Sequence, residues 1–186
     1  YDGNNLYLWE FTSGKLSAGF NQAVPTKSDS VGLEYYPTNK RVYLADKKLN
    51  SIISFLPGSN GFSNPVVAVR DQSLSQAVDI AIDGSIYVLN SGGVNKFQSG
   101  KLTDFSTASL PTPFSGQGKI YTEISFAHIY ILDAGKNHIL ILDKKGSLVN
   151  TLKSSMFNKL TDFKVDEKNK LIYILNDGSL LKATLP

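Results

Sequence analysis

Three carboxylates in this chain could work together. Asp79, Glu123 and Asp162 follow one another at intervals of 44 and 39 residues, each within a short stretch rich in apolar residues. If those stretches converge on one axis, the side chains form an all-oxygen donor set suited to a hard divalent cation. The competing reading is a solvated channel mouth with waters and lysine counter-ions. Nitrogen and sulfur donors are scarce. There are two histidines, His128 and His138, and no cysteine, so thiolate zinc sites and disulfides are excluded within the chain. A second polar series runs Asp2, Asp46, Asn90, Asp133 and Asn176. A ring of such groups could bind cations or amines. However, a residue repeated in every copy of a motif is architectural, because a short polar side chain at a turn bonds nearby backbone amides.

The elements that must position these residues come from one recurrent segment. It reads Val42-Tyr43-Leu44-Ala45-Asp46, Ile86-Tyr87-Val88-Leu89-Asn90, Ile129-Tyr130-Ile131-Leu132-Asp133 and Ile172-Tyr173-Ile174-Leu175-Asn176, so the tyrosine returns every 43 or 44 residues. Each copy is apolar on both faces, as a strand sandwiched between neighbours must be. A repeat of this length built from short strands predicts an all-β chain, a β-propeller of four-stranded antiparallel blades. Taking each blade as strands A to D from the axis outward, the tyrosine segment is strand B. Strand A is expected at 32–36, 77–82, 121–126 and 160–165. Strand C is expected at 6–11, 52–56, 94–98, 139–143 and 180–184, and strand D most clearly at 66–69 and 148–152. Glycines at 14, 58, 100 and 146 mark the C–D hairpins. The whole of 1–186 reads as one propeller domain or fragment. Partial blades occupy 1–30 and 158–186, and full blades 31–70, 71–111 and 112–157. The phase at the termini favours about four to five blades here, belonging to a larger six-bladed ring, whose open ends would seek a partner or self-associate.

Composition narrows the function. The net charge is +3, yet arginine occurs only at Arg41 and Arg70. Nucleic-acid readers rely on arginine for bidentate contacts, so no nucleic-acid partner is expected. Apolar runs such as Ile139-Leu140-Ile141-Leu142 are far shorter than the roughly 20 residues of a membrane span, and no signal-like or transit-like segment is present. No phosphate-cradling glycine loop precedes a helix. The histidines fall at opposite ends of their blade, His128 at the A–B hairpin and His138 at the start of strand C. They cannot then share a metal or pair as base and nucleophile. Tyr7, Trp9 and Phe11 form an aromatic stripe that reads as packing against a neighbouring blade, with an exposed binding patch as the alternative.

The third copy carries a family resemblance. Ile129 through Val149 reads IYILDAGKNHILILDKKGSLV and resembles an NHL repeat. Tyr130, Asp133, Asn137, Ile139, Asp143 and Gly146 stand in the expected places, and His138 stands where the family has arginine. The chain is also similar to the C-terminal propellers of large bacterial membrane and signalling proteins, where the propeller is a sensor or docking part. The resemblance implies an extracytoplasmic or cell-surface setting. Family members acting as lyases or hydrolases use clustered histidines or carboxylates with a metal, and this chain lacks the histidines.

The expectation is therefore a non-catalytic binding or scaffolding module without a cofactor. Its partner would be another protein, an extracytoplasmic ligand, or the rest of a larger polypeptide. The contact surface would be the rim of B–C and D–A loops, with Lys47, Lys48, Asp71, Gln72, Ser91, Lys136 and Asn137 as candidate residues. The alternative is a metal-dependent hydrolase or lyase with Asp79, Glu123 and Asp162 at the central channel.

Overall fold

The computed structural model describes residues 5–12, 15–23, 29–58, 61–62, 65–105, 110 and 114–186, with side chains at residue 5 and from residue 29 onward. Asp2, Gly14 and the side chains of Tyr7, Trp9 and Phe11 lie outside this description. The chain forms two compact units, Tyr1–Ser75 and Gln76–Pro186. In the first, β1 (Asn5–Thr12) and β2 (Lys15–Ala23) form a hairpin. After it come β3 (Ser30–Tyr36), β4 (Arg41–Asp46), β5 (Ser51–Phe55), the short pair β6 (Pro57–Gly58) and β7 (Gly61–Phe62), and β8 (Val66–Arg70). Strands β3, β4, β5 and β8 make a four-stranded antiparallel sheet in that order.

The described residues of the second unit form three sheets. The first runs β9 (Ala77–Ile82), β10 (Ile86–Asn90), β11 (Gly93–Gln98) and β12 (Lys101–Thr103). The second runs β13 (Gly118–Tyr121), β14 (His128–Asp133), β15 (His138–Asp143) and β16 (Leu148–Leu152). The third has β17 (Leu160–Asp166), β18 (Leu171–Asn176) and β19 (Ser179–Thr184). All pairings are antiparallel between successive strands. The innermost strands adjoin, with β13 touching both β9 and β17. These are the blades of a β-propeller. Among the described residues, helix is limited to the 3-10 turns Gln72–Gln76 and Ala134–Lys136. Among the described residues no helix is long and apolar enough to cross a membrane.

Alternation along β14 and β15 builds two cores at once. Tyr130, Leu132, Ile139 and Ile141 point one way and pack with Phe163, Val165, Ile172 and Ile174 of the third sheet. Ile129, Ile131, Leu140 and Leu142 point the other way and pack with Ala81, Tyr87, Leu89 and Val94 of the first. The register seats these residues opposite one another, Tyr130 with Ile141 and Ile131 with Leu140. A period of two places alternate side chains on opposite faces, so a strand covered on both sides must be apolar throughout. The tyrosine hydroxyls of three copies find polar partners at the strand ends. Tyr43 accepts a hydrogen bond from the Asn39 amide at 2.7 Å, Tyr87 donates to Asp83 at 3.3 Å, and Tyr130 donates to Glu167 at 2.9 Å.

One strand departs from expectation. Strand A of the third copy was expected at 121–126 and is found at Gly118–Tyr121. The segment Thr122–Ala127 is instead a turn, in which Phe126 N–H donates to Glu123 O at 3.1 Å and the Thr122 hydroxyl donates to His128 O at 2.8 Å. Its alternating pattern imitates a strand, but Phe126 folds back edge-on against Tyr121 and Tyr130. Three of the A strands carry a bulge near their start, with Val31, Val78 and Thr161 as the extra residues. Strand β13 has none, since Gly118 opposes Asp133 and Lys119 opposes Leu132 in sequence. Glycine makes that direct entry feasible: a Cβ at Gly118 would stand 1.9 Å from the Leu132 carbonyl oxygen.

Gly118→Ala should therefore displace the strand and cost about 3 kcal/mol or more, read from the urea midpoint. Ile131→Ala, at a fully buried position, should cost about 3 kcal/mol and leave the β14–β15 hydrogen-bond ladder intact by amide exchange.

Candidate binding rim

The strand register decides which groups share a level along the inner strands. Leu89, Leu132 and Leu175 are equivalent in the repeat, and their partners on the inner strands are Asp79, Lys119 and Asp162. Asp79 and Asp162 thus occupy matching places, as the sequence reading held, but the third place belongs to Lys119. Glu123 lies in the turn beyond the end of β13, where the Tyr121 hydroxyl donates to it and the Lys164 ammonium stands 4.0 Å away. Among the described residues no three His, Cys, Asp or Glu side chains gather into a group able to hold a metal ion.

Asp79 is 8% exposed. Its Oδ2 accepts the Ile120 N–H at 3.0 Å, and the Lys119 ammonium lies 4.0 Å from Oδ1. Two effects oppose here. Burial disfavours the carboxylate, while Lys119 and the backbone amides favour it. Burial wins and raises the pKa to about 6, because the lysine is half in solvent and at the limit of ion-pair distance.

The polar residues that end the strand B copies are structural. Asp46 Oδ1 accepts Leu49 N–H at 2.9 Å, and Asn90 Oδ1 accepts Gly92 N–H at 2.9 Å. Asp133 accepts from the Ser115 amide and hydroxyl. Asn176 accepts from Asn158 and Lys159 N–H at 3.1 and 3.0 Å. Asn137, expected as a rim contact, holds the left-handed turn position at φ 49°. Its amide donates to Asn158 O at 3.2 Å and accepts Leu160 N–H at 3.1 Å. It latches the second sheet of the unit to the third.

Other expected rim residues are more exposed. In the first unit, Lys47 pairs with Asp29 at 3.3 Å, and Lys48 and Gln72 are exposed. Asp71 Oδ1 accepts from the Ser73 amide and hydroxyl at 2.9 and 2.7 Å, which starts the adjoining 3-10 turn. In the second unit, the Ser91 hydroxyl donates to Gln76 at 3.4 Å, and Lys136 is exposed.

Two clefts flank the join between the second and third sheets. One, about 680 Å³, opens at the A–B end beside Tyr121, Glu123, Phe126, Lys164 and Glu167. Several of its charged groups are engaged internally. Glu167 accepts the amides of Ala127 and His128 at 2.8 and 3.1 Å, and its Oε1 lies 3.1 Å from the His128 ring nitrogen. Lys164 stands 3.8 Å over the Tyr121 ring. The other cleft, about 530 Å³, opens at the B–C and D–A end between Lys136, Asn137, His138, Lys153, Ser154 and Phe157. His138 is 4% exposed. Its Nε2 is 3.6 Å from Asp133 Oδ2 and has no hydrogen-bond partner. Burial lowers its pKa; Asp133 raises it, and Lys153 and Lys136 push it further down. The two histidines do sit at opposite ends of β14–β15, since His128 opposes Asp143 and His138 opposes Asp133. Sequence reasoning missed Lys153, Ser154 and Phe157. They lie at the D–A connection, and no repeat marks them.

Asp79 makes stability depend on pH. Its folded pKa is raised above the unfolded 3.8 to about 6. The stabilisation is therefore full below the unfolded value and lost as the pH rises through the folded one. Asp79→Asn keeps a carbonyl acceptor for Ile120 but cannot titrate. Between about pH 4 and pH 7 the native chain should lose up to about 3 kcal/mol relative to this variant, measured by urea unfolding at each pH.

No protein-family model matches the sequence, and no curated protein matches it. Solved structures do match in fold. Virginiamycin B lyase from Staphylococcus aureus is 14% identical, with a TM-score of 0.58 over 96% of this chain and 63% of its own. A chain of a nidogen/laminin complex is 15% identical, with a TM-score of 0.64 over 93% of this chain and 70% of its own. A functionally unknown protein from Desulfotomaculum acetoxidans DSM 771 is 17% identical, with a TM-score of 0.69 over 99% of this chain and 60% of its own. The chain thus spans less than two thirds of the lyase's length, and what it shares with these proteins is the β-propeller fold.

Proposed function

We propose that the chain is a non-catalytic binding module whose contact surface in the second unit is the rim of B–C and D–A loops. The observation that carries this reading is the cleft between Lys136 and Lys153. It lies on the loop end of a rigid sheet stack, and Lys153 forms no ion pair with any described residue. Loops positioned by a stable scaffold are where recognition residues collect. Lys47, Lys48, Asp71 and Gln72 occupy the corresponding loops of the first unit. The chain of the nidogen/laminin complex, a propeller that sits in a protein assembly, supports a protein partner. An extracytoplasmic or cell-surface setting belongs to the same proposal and rests on the NHL-like resemblance.

Charge reversal tests it. Proteins retained by the immobilised wild-type chain should be lost with Lys136→Glu/Lys153→Glu. They should stay bound to Lys168→Glu, which changes the opposite end of the same unit. Equal retention by all three would reject the rim as the contact surface.

A further inference from the structure

The cleft at the B–C end has a chemistry of its own, and the argument from it rests on the rim reading above. Lys136 and Lys153 both line it, and both act electrostatically on the His138 imidazole, which lines it too. The one carboxylate that acts on this imidazole, Asp133, is 1% exposed and lies behind it, engaged by the Ser115 amide and hydroxyl. The Ser154 hydroxyl accepts Met156 N–H at 3.1 Å, and its own O–H donates to no described residue. Phe157 supplies an apolar wall and is itself anchored in the core between the second and third sheets. The opposite cleft has a different charge composition, since Glu123, Asp166 and Glu167 line it together with Lys164 and Lys168.

We infer that the Lys136–His138–Lys153 cleft binds an oxyanion, a carboxylate or phosphate group carried by the ligand. The lysines supply charge, the Ser154 hydroxyl supplies a directed donor, and Phe157 covers the apolar part of the ligand. His138 reports on occupancy. The charged groups that act on it are Asp133 from β14, Lys136 from the B–C turn and Lys153 after β16. With the cleft empty, burial and the two lysines favour the neutral ring. A bound anion offsets the lysines and favours imidazolium. Binding therefore raises the His138 titration midpoint, and by linkage affinity rises as the pH falls through that midpoint.

The chain has only two histidines, so imidazole proton resonances read this directly, with His128 at the opposite end as internal control. Sodium phosphate and sodium glucuronate should each move the His138 signals saturably, with a Kd of about 1 mM, and raise the His138 midpoint while His128 stays still. If only phosphate acts, the ligand class is a phosphate; if only glucuronate acts, it is a carboxylate. Either result supports the site. Lys136→Gln and Lys153→Gln should each weaken binding roughly tenfold. The inference is overturned if sodium chloride at matched ionic strength moves His138 equally, if neither probe moves it at about 50 mM, or if the glutamine variants bind as the wild type does. Loss of partner capture by the charge-reversed chain, with no response to either probe, would remove this inference and leave the rim reading standing.

Discussion

Burial of both faces of the central strands is the constraint on which the second unit depends. Strands β14 and β15 have no wet side, because one set of alternate residues fills the core toward the first sheet and the other set fills the core toward the third. The hydrophobic contribution is therefore counted twice per strand, at about 25 cal/mol for each Å² of apolar surface removed from water. The same packing confines polar groups to the strand ends. The tyrosines of the repeat solve this locally: their rings lie within the stack, and the hydroxyls of Tyr87 and Tyr130 reach Asp83 and Glu167 at the margin. Burial and the neighbouring carboxylates hold both phenols well above their ordinary pKa.

Sheets stacked in this way need connections that do not slide, and backbone-directed side chains provide them. Glu167 of the third sheet takes two amides and a tyrosine hydroxyl from the second. Asn137 returns two bonds to the third sheet at the other end. Lys144 ties Asp83 at 2.6 Å to the second sheet and also donates to Thr122. A hydrogen bond to a charged group contributes more than a neutral one, and losing one partner leaves a buried group unsatisfied. These residues specify the relative seating of neighbouring sheets more than they add to total stability. Asp79 and His138 stand apart, because burial disfavours the charged form of each and shifts its titration from the ordinary value.

The two ends of the stack consequently differ in availability. At the A–B end, carboxylates and lysines meet one another and the backbone. At the B–C end, the polar residues nearest the strands are committed to turns, and Lys136 and Lys153 line the cleft beyond them. This division follows from chain direction. At the A–B end the connections range from the tight Asp83-Gly84 hairpin, with Gly84 at φ 114°, to the six-residue turn Thr122–Ala127. The longer D–A connections bring Lys153, Ser154 and Phe157 beside the preceding B–C turn.

Much of this fold could be read from residue order alone. Strand B is apolar on both faces in the repeat and strand C follows it at a fixed offset, so the repeat of Tyr43, Tyr87, Tyr130 and Tyr173 located both within a residue. The strand-ending Asp and Asn residues were also legible as turn-fixing groups, because their chemistry is local. Register was not legible. Thr122–Phe126 alternates like a strand, and only the packing of Phe126 against Tyr121 and Tyr130 made it a turn, which exchanged Glu123 for Lys119 beside Asp79 and Asp162. The lysine–histidine cleft was visible only in half. Lys136 lies in a repeated loop, whereas Lys153, Ser154 and Phe157 reach it from a connection with no repeat. Periodicity records which residues are buried. Which loops meet is decided by how neighbouring sheets stack, and that is a property of the folded chain.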